Sequence, residues 1–72
     1  MKLGNKMTEK RVLKGYTQNQ LCKELKKYGE SCNQCEISSY ESGERFPQLP
    51  RLLLITKVLN CKVEDLYYID EL

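Results

Sequence analysis

The sequence predicts an all-α protein in which five short helices pack into one compact domain. Apolar residues recur three and four positions apart through most of the chain, which is the period of a helix with one buried face. No stretch alternates apolar and polar residues for long, and β-branched residues are sparse, so the sequence predicts no strand. A chain of 72 residues has room for one small core and no deep substrate cavity, and we expect residues 1–72 to form a single domain.

The first two helices are predicted from their faces and from the residues at their ends. One face of the first helix carries Leu3, Met7, Arg11 and Lys14. Gly15 favours the end of this helix. Thr17 favours the start of the second helix, because its hydroxyl can accept a hydrogen bond from a free amide of the first turn. The second helix has an apolar face made of Leu21, Cys22, Leu25 and Tyr28. Gly29 marks its expected end.

Three further helices are predicted over Gln34 to Ser42, Leu49 to Leu59, and residues 63 to about 68. Asn33 can cap the third helix, and Gly43 can close it in a left-handed conformation. Pro50 is tolerated because it falls in the first turn of the fourth helix, and Asn60 follows the end of that helix.

The third predicted helix has a polar outer face. With Ile37 placed toward the core and 100° advanced per residue, Tyr40 and Glu41 flank it on the inner side. The outer face then carries short uncharged side chains, with Gln34 at the exposed N-terminal tip: Cys35, Ser38, Ser39 and Ser42. Such a face suits a helix that lies close against a partner, because Gln can bond bidentately to adenine and Ser can pair with several bases. An ordinary polar surface is the alternative interpretation.

Positive charge is concentrated in the first part of the chain, although the net charge is only +2. Residues 1–27 hold eight basic and two acidic residues, a net charge of +6, and residues 28–72 hold four basic and eight acidic residues, a net charge of −4. This asymmetry suggests an anionic partner for the first part. A solvated basic helix face would give the same pattern.

The order and spacing of these features resemble the Cro/C1-type (XRE-like) helix-turn-helix regulators. The resemblance covers about residues 7–66 and includes RVLKGYTQ at positions 11–18 and YESGER at positions 40–45. Further matching positions are 21–22, 25, 37–38, 47, 52–53 and 59–66. The resemblance implies a five-helix lambda-repressor-like domain that binds double-stranded DNA and places its third helix in the major groove.

The resemblance also implies roles for individual residues. The positions expected to contact base edges are Gln34, Cys35, Ser38 and Ser39. The positions expected to contact DNA phosphates are Gln18, Ser42 and Arg45. Arg11 and Glu41 match a structural pair, in which an arginine of the first helix bonds the glutamate near the end of the third. Such a half-buried pair sets geometry more than it adds stability, so neither residue is expected to touch DNA.

The turn between the second and third helices departs from the family pattern. The usual turn has about four residues, and the segment 26–32 adds roughly five between Leu25 and the third helix. Either the second helix continues through Tyr28, or the turn is an enlarged loop. The extra length adds Lys26 and Lys27 near the expected DNA side. These lysines supplement phosphate binding or only keep the loop soluble, and both interpretations stay open here.

Four cysteines raise the question of a metal or redox site. Cys32 and Cys35 have CxxC spacing, but structural zinc usually takes two such pairs, and the chain has no histidine. By the resemblance, Cys22 and Cys61 occupy positions that are normally Ala and Val, and Cys32 matches an apolar turn residue, so these three are expected to be buried. Only Cys35 is expected to be exposed. We therefore expect no metal and no cofactor.

Neither catalysis nor a membrane location is predicted. The chain lacks a histidine for general base catalysis and lacks a glycine-rich phosphate loop. No apolar run approaches the roughly 18 residues of a membrane span, and no signal-peptide segment follows Met1. We expect a cytoplasmic protein that is not an enzyme.

Together these features predict a sequence-specific DNA-binding transcriptional regulator, with no small-molecule ligand evident. We expect a repressor of phage, plasmid or mobile-element type that occupies a promoter. The alternative is a protein-interaction role, such as the antitoxin of a toxin–antitoxin pair. We expect no toxin-binding tail, because the sequence ends six residues after Leu66, and this expectation argues mildly against the alternative.

A homodimer on DNA is expected from the excess of apolar residues near the C-terminus. Leu52, Ile55, Thr56 and Leu59 suffice for the core-facing stripe of the fourth helix. The apolar residues left over are Leu53, Leu54, Val58, Tyr67, Tyr68, Ile69 and Leu72. A contiguous apolar patch of this kind indicates an interface, and the fourth and fifth helices with the C-terminal residues are the expected contact.

Overall fold

A computed structural model describes residues 2–70 of the chain. This part is mostly helical, with five helices and a small sheet. The elements in chain order are β1 (Lys2–Asn5), α1 (Met7–Leu13), α2 (Gln18–Lys26), α3 (Gln34–Ser42), α4 (Leu49–Leu59), α5 (Val63–Leu66) and β2 (Tyr67–Asp70). The predicted helical fold class is confirmed, and α3 and α4 have the predicted bounds. None of the helices in this range is long and apolar enough to span a membrane.

The prediction that the chain has no strand is wrong. β1 pairs antiparallel with β2, with Leu3 opposite Ile69 and Gly4 opposite Tyr68. Leu3 therefore lies in a strand instead of the first helix, and β2 begins where the fifth helix was expected to continue. Gly4 is a poor helix former, whereas the aromatic and β-branched side chains of residues 67–69 favour a strand. The two partners stand at opposite ends of the sequence, so local periodicity could not reveal their pairing.

Side-chain caps set the starts of α2 and α3. Thr17 Oγ1 accepts the Gln20 amide hydrogen at 3.1 Å, and Gln20 Oε1 accepts that of Thr17 at 2.8 Å. Asn33 and Glu36 form the same reciprocal pair, at 2.9 and 3.3 Å. Gly43 ends α3 with φ of 85°, a left-handed conformation that costs glycine little. The first turns of both helices are therefore held in place before any partner binds.

The core joins all five helices. Its buried members are Met7, Leu21, Cys22, Leu25, Ile37, Tyr40, Ile55, Leu59 and Leu66. On α4, Leu54 and Val58 are also partly buried against this cluster, whereas Leu49 and Leu53 are 64% and 51% exposed. Because the same core holds α2 and α3, their relative orientation is set by packing and does not depend on DNA.

Candidate nucleic-acid interface

The outer face of α3 is polar and open to solvent. Ile37 and Tyr40 are buried, and the opposite side exposes Gln34, Cys35 and Ser38. Ser39, also predicted to contact bases, is only half-buried, and its carbonyl is occupied within the protein. Three of the four predicted base-contact side chains thus stand on one accessible surface, with Ser39 at its margin.

A hydrogen-bonded network centred on Glu41 joins α1, α2 and α3. Arg11 Nε donates to Glu41 Oε2 at 2.6 Å, and the two side chains are only 13% and 9% exposed. Arg11 also donates to the Tyr16 carbonyl at 2.7 Å, and Gln18 Nε2 donates to Glu41 Oε1 at 3.0 Å. Burial favours a higher pKa for Glu41, but the hydrogen bonds from Arg11 and Gln18 outweigh it and lower the pKa. The carboxylate is therefore ionised at neutral pH.

Gln18 connects the two ends of α3. It donates to Glu41 in the last turn, and its Oε1 accepts a hydrogen bond from Gln34 Nε2 in the first turn at 3.2 Å. A primary amide has two N–H donors, so Gln18 keeps one donor for another partner. Gln34 keeps one N–H and its carbonyl oxygen, which are the groups needed to pair with an adenine edge. The network thus orients both amides and leaves each with bonding capacity.

The last residue of α3 and the residues that follow it form a tight polar turn. Ser42 Oγ donates to the Ser39 carbonyl at 3.1 Å, and the Arg45 backbone N–H donates to the same oxygen at 3.3 Å. The Arg45 side chain is exposed. Phe46 then packs against Tyr67 of β2, with ring centroids 5.9 Å apart. The turn that carries Ser42 and Arg45 is therefore tied to the rest of the domain.

The enlarged turn is held by Arg51 of α4, which the sequence reasoning missed. Arg51 Nε donates to Glu30 Oε1 at 2.8 Å, and Nη2 donates to the Ser31 carbonyl at 3.1 Å. Its Nη1 donates to Glu36 Oε2 at 2.6 Å and to the Tyr40 hydroxyl at 3.1 Å. One guanidinium thus binds both the turn and α3. A lone arginine in an otherwise apolar stretch of α4 was the only sign in the sequence.

The course of the chain between α2 and α3 settles the alternatives for this segment. α2 ends at Lys26 and does not continue through Tyr28. Gly29 has φ of 89°, a left-handed conformation that would strain a residue with a side chain. The segment is therefore an enlarged loop.

The two lysines at the end of α2 have different surroundings. Lys27 Nζ donates to Glu24 at 2.7 Å on the exposed surface, and this bond raises the pKa of Lys27. Lys26 lines a groove that also includes Gln34 of α3. Only one of the two predicted lysine contacts therefore lies next to the expected base-reading tip.

The cysteines differ in burial. Cys22 is buried and Cys32 is half-buried beside it, and the Cys32 thiol donates to the Asn33 carbonyl at 3.7 Å. Burial raises the pKa of Cys32 to about 11 and also raises the pKa of Cys22, so both are protonated at neutral pH. Cys35 is exposed and Cys61 is half-buried. In the part of the chain that the structure describes, no group of three or more His, Cys, Asp or Glu side chains could hold a metal ion.

Comparison with known proteins agrees with this geometry. The search of curated proteins yields no match. A family model described as helix-turn-helix matches residues 7–66, a span that includes all five helices and both residues of the Arg11–Glu41 pair. The chain therefore belongs to the Cro/C1-type, XRE-like helix-turn-helix family of DNA-binding regulators.

Proposed function

We propose that the protein is a repressor that binds a specific operator with α3 in the major groove and blocks a promoter by occupying it. The proposal extends to a phage, plasmid or mobile-element origin and to action in the cytoplasm. The observation that carries it is the Arg11–Glu41–Gln18–Gln34 network, because it holds two amides with free bonding groups at the exposed tip of α3. An exposed polar face without such support would not be pre-oriented for base reading.

The proposed contacts divide into two classes. Base edges are read by Gln34, Cys35, Ser38 and, at the margin, Ser39. Phosphates are held by Gln18, Ser42 and Arg45. The N-terminus of α2 adds its dipole and free amides next to Gln18, which favours an anion there. Base contacts give sequence preference, and phosphate contacts give affinity that depends strongly on salt.

Replacing Gln34 and Arg45 separates the two classes of contact. Gln34→Ala should reduce discrimination at one or two base pairs, by about 1–3 kcal/mol, because a bidentate base contact is lost. Arg45→Ala should weaken binding about equally on all sequences, because a phosphate contact carries no sequence information. Binding of each variant to an operator selected from random DNA and to scrambled DNA, at one salt concentration, measures both effects. If both variants lose affinity equally on the two DNAs, α3 is not the reading helix.

The exposed apolar surface supports dimer formation on DNA. Leu49 and Leu53 lie one turn apart on α4 and are both exposed. Leu3 and Ile69 are paired and exposed on the two-stranded β ribbon that β1 and β2 form. Leu54 and Val58, expected from the sequence to lie in the interface, are partly buried against the protein's own core. Leu72, also expected there, lies outside the described residues. We propose a two-fold dimer formed by α4, α5 and the ribbon, with half-sites about one helical turn apart.

A charge placed on this surface should prevent the dimer. Leu53→Lys is expected to convert a two-to-one complex with operator DNA into a one-to-one complex, because a desolvated ammonium at the interface is costly. Sedimentation with and without operator measures the stoichiometry. Leu13→Lys is the matched control, since Leu13 of α1 is 75% exposed and lies outside the proposed interface. A one-to-one wild-type complex on a site without an inverted repeat, or unchanged stoichiometry in Leu53→Lys, contradicts the dimer.

A further inference from the structure

A groove without carboxylates lies between α2 and the enlarged turn, beside the tip of α3. It has a volume of about 350 Å³ and is lined by Asn19, Cys22, Lys23, Lys26, Cys32, Asn33 and Gln34. Its charged members are the two lysines, since the pKa values of both thiols are raised by burial. The groove is therefore cationic at neutral pH and suited to an anion.

One face of α2 and the enlarged turn together build the groove. Asn19, Lys23 and Lys26 are spaced four and three residues apart, so they stand on one side of α2. The turn supplies Cys32, which lies beside Cys22 of α2. Arg51 holds this turn through Glu30 and the Ser31 carbonyl. The segment that departs from the usual family turn thus supplies one wall of the groove.

The lysines of the groove have no competing partner in the described structure. Lys23 and Lys26 are both exposed, and neither forms an ion pair with a side chain in the described part of the chain. Lys27, the next residue, is bonded to Glu24 and does not line the groove. Lys23 and Lys26 therefore have ammonium groups available to a ligand, whereas the ammonium group of Lys27 is already paired.

We propose that this groove binds the phosphodiester backbone of the operator, with Lys23 and Lys26 contacting phosphates beyond those held by Gln18, Ser42 and Arg45. The inference rests on the proposed function, because Gln34 belongs both to the groove and to the base-reading tip of α3. Gln34 lines the groove together with Lys23 and Lys26, so duplex DNA bound at Gln34 lies beside both lysines. These two lysines of α2 widen the DNA footprint of the domain along the backbone.

The salt dependence of binding tests this assignment. Each phosphate contact contributes about 0.9 to the slope of log Kobs against log salt concentration. For each protomer bound, Lys23→Gln and Lys26→Gln should each reduce the magnitude of the slope by about 0.9, and the double variant should reduce it by about 1.8. Lys27→Gln is the matched control and should leave the slope unchanged. The preference for operator over scrambled DNA should stay the same in all variants, and thermal melting checks that each is folded.

A second measurement locates the contacted phosphates. In a set of operators, one phosphate at a time is replaced by a neutral methylphosphonate. At one or two positions flanking the base read by Gln34, the neutral linkage should weaken DNA binding by the wild type. It should leave DNA binding by the double variant unchanged. The inference is overturned if the folded double variant has the same salt dependence of binding as the wild type. It is also overturned if Lys27→Gln reduces the salt dependence as much as Lys23→Gln or Lys26→Gln does. Both results leave the proposed function intact. If the wild-type protein shows no preference for any DNA sequence, both this inference and the proposed function are wrong.

Discussion

Glu41→Ala is expected to lower the free energy of unfolding by about 3 kcal/mol, near the lower end of the range for breaking a buried ion pair. The substitution leaves the Arg11 guanidinium, only 13% exposed, without its carboxylate partner. For a domain of this size, the loss corresponds to a fall in melting temperature of about 12 °C or more. Thermal unfolding followed by circular dichroism measures it. Glu41→Gln keeps the shape, removes the charge and replaces one acceptor oxygen with an NH2 group.

The pH dependence of stability offers an independent check on Glu41. Its pKa is lowered in the folded protein from an ordinary value of 4.5. The stabilisation is therefore present above about pH 4.5 and is lost as pH falls through the folded pKa. Glu41→Gln lacks this titration, so its melting temperature should fall less than that of the wild type between neutral and acidic pH. Equal pH dependence in the two proteins would show that the pair contributes little.

DNA binding separates a structural role for Glu41 from a direct one. Well below its melting temperature, Glu41→Ala should still bind the operator, because neither member of the ion pair is exposed enough to contact DNA. Gln18 loses one partner, so a loss of up to about tenfold is expected. A variant that is fully folded but no longer binds would move Glu41 into the binding site.

Arg51→Met is expected to have the second-largest effect on stability, about 2 kcal/mol. The side chain is 19% exposed and its carboxylate partners are 27% and 35% exposed, so the cost lies between those of surface and buried pairs. Methionine keeps much of the packing of the stem and removes all four hydrogen bonds. Calorimetry measures the loss, and hydrogen exchange should show faster opening of residues 29–32.

Two comparisons restrict the interpretation of Arg51. Glu30→Gln removes the carboxylate partner of Arg51 that lies in the enlarged turn. It should therefore speed hydrogen exchange in the turn, with a smaller loss of stability than Arg51→Met. Amides of α1 serve as the reference in both variants. After correction for the change in global stability, their exchange rates should equal those of the wild type. If the turn exchanges equally in the wild type and Arg51→Met, Arg51 does not order it.

Features that depend on neighbouring residues could be predicted from the sequence. α3 has the predicted start and end, because Asn33 and Gly43 act on the backbone within one turn. The split of its faces followed from the helical period, with Ile37 inside and Cys35 and Ser38 outside. The Arg11–Glu41 contact was expected from the family resemblance alone, since nothing local joins two residues thirty positions apart.

Features that depend on distant parts of the chain were missed or left open. The β ribbon joins the two ends of the sequence, and neither end shows a strand pattern long enough to stand out. The surroundings of Lys26 and Lys27 differ because one residue turns a helix by 100°, so Lys26 lines the groove with Gln34 and Lys27 pairs with Glu24. Leu54 and Val58 look exposed on a helical wheel but are partly buried against the core.

The sequence by itself determined the helix-turn-helix, because caps, helical period and the polar face of α3 are local properties that survive in any packing of the chain. Only the tertiary structure decided how that face is supported. Gln18 links Gln34 to Glu41, and Arg51 clamps the enlarged turn, through bonds between residues that are separated in sequence and meet when the core forms. The physical reason is that side-chain hydrogen bonds depend on distances of a few ångströms, and the packing of α2, α3 and α4 sets those distances.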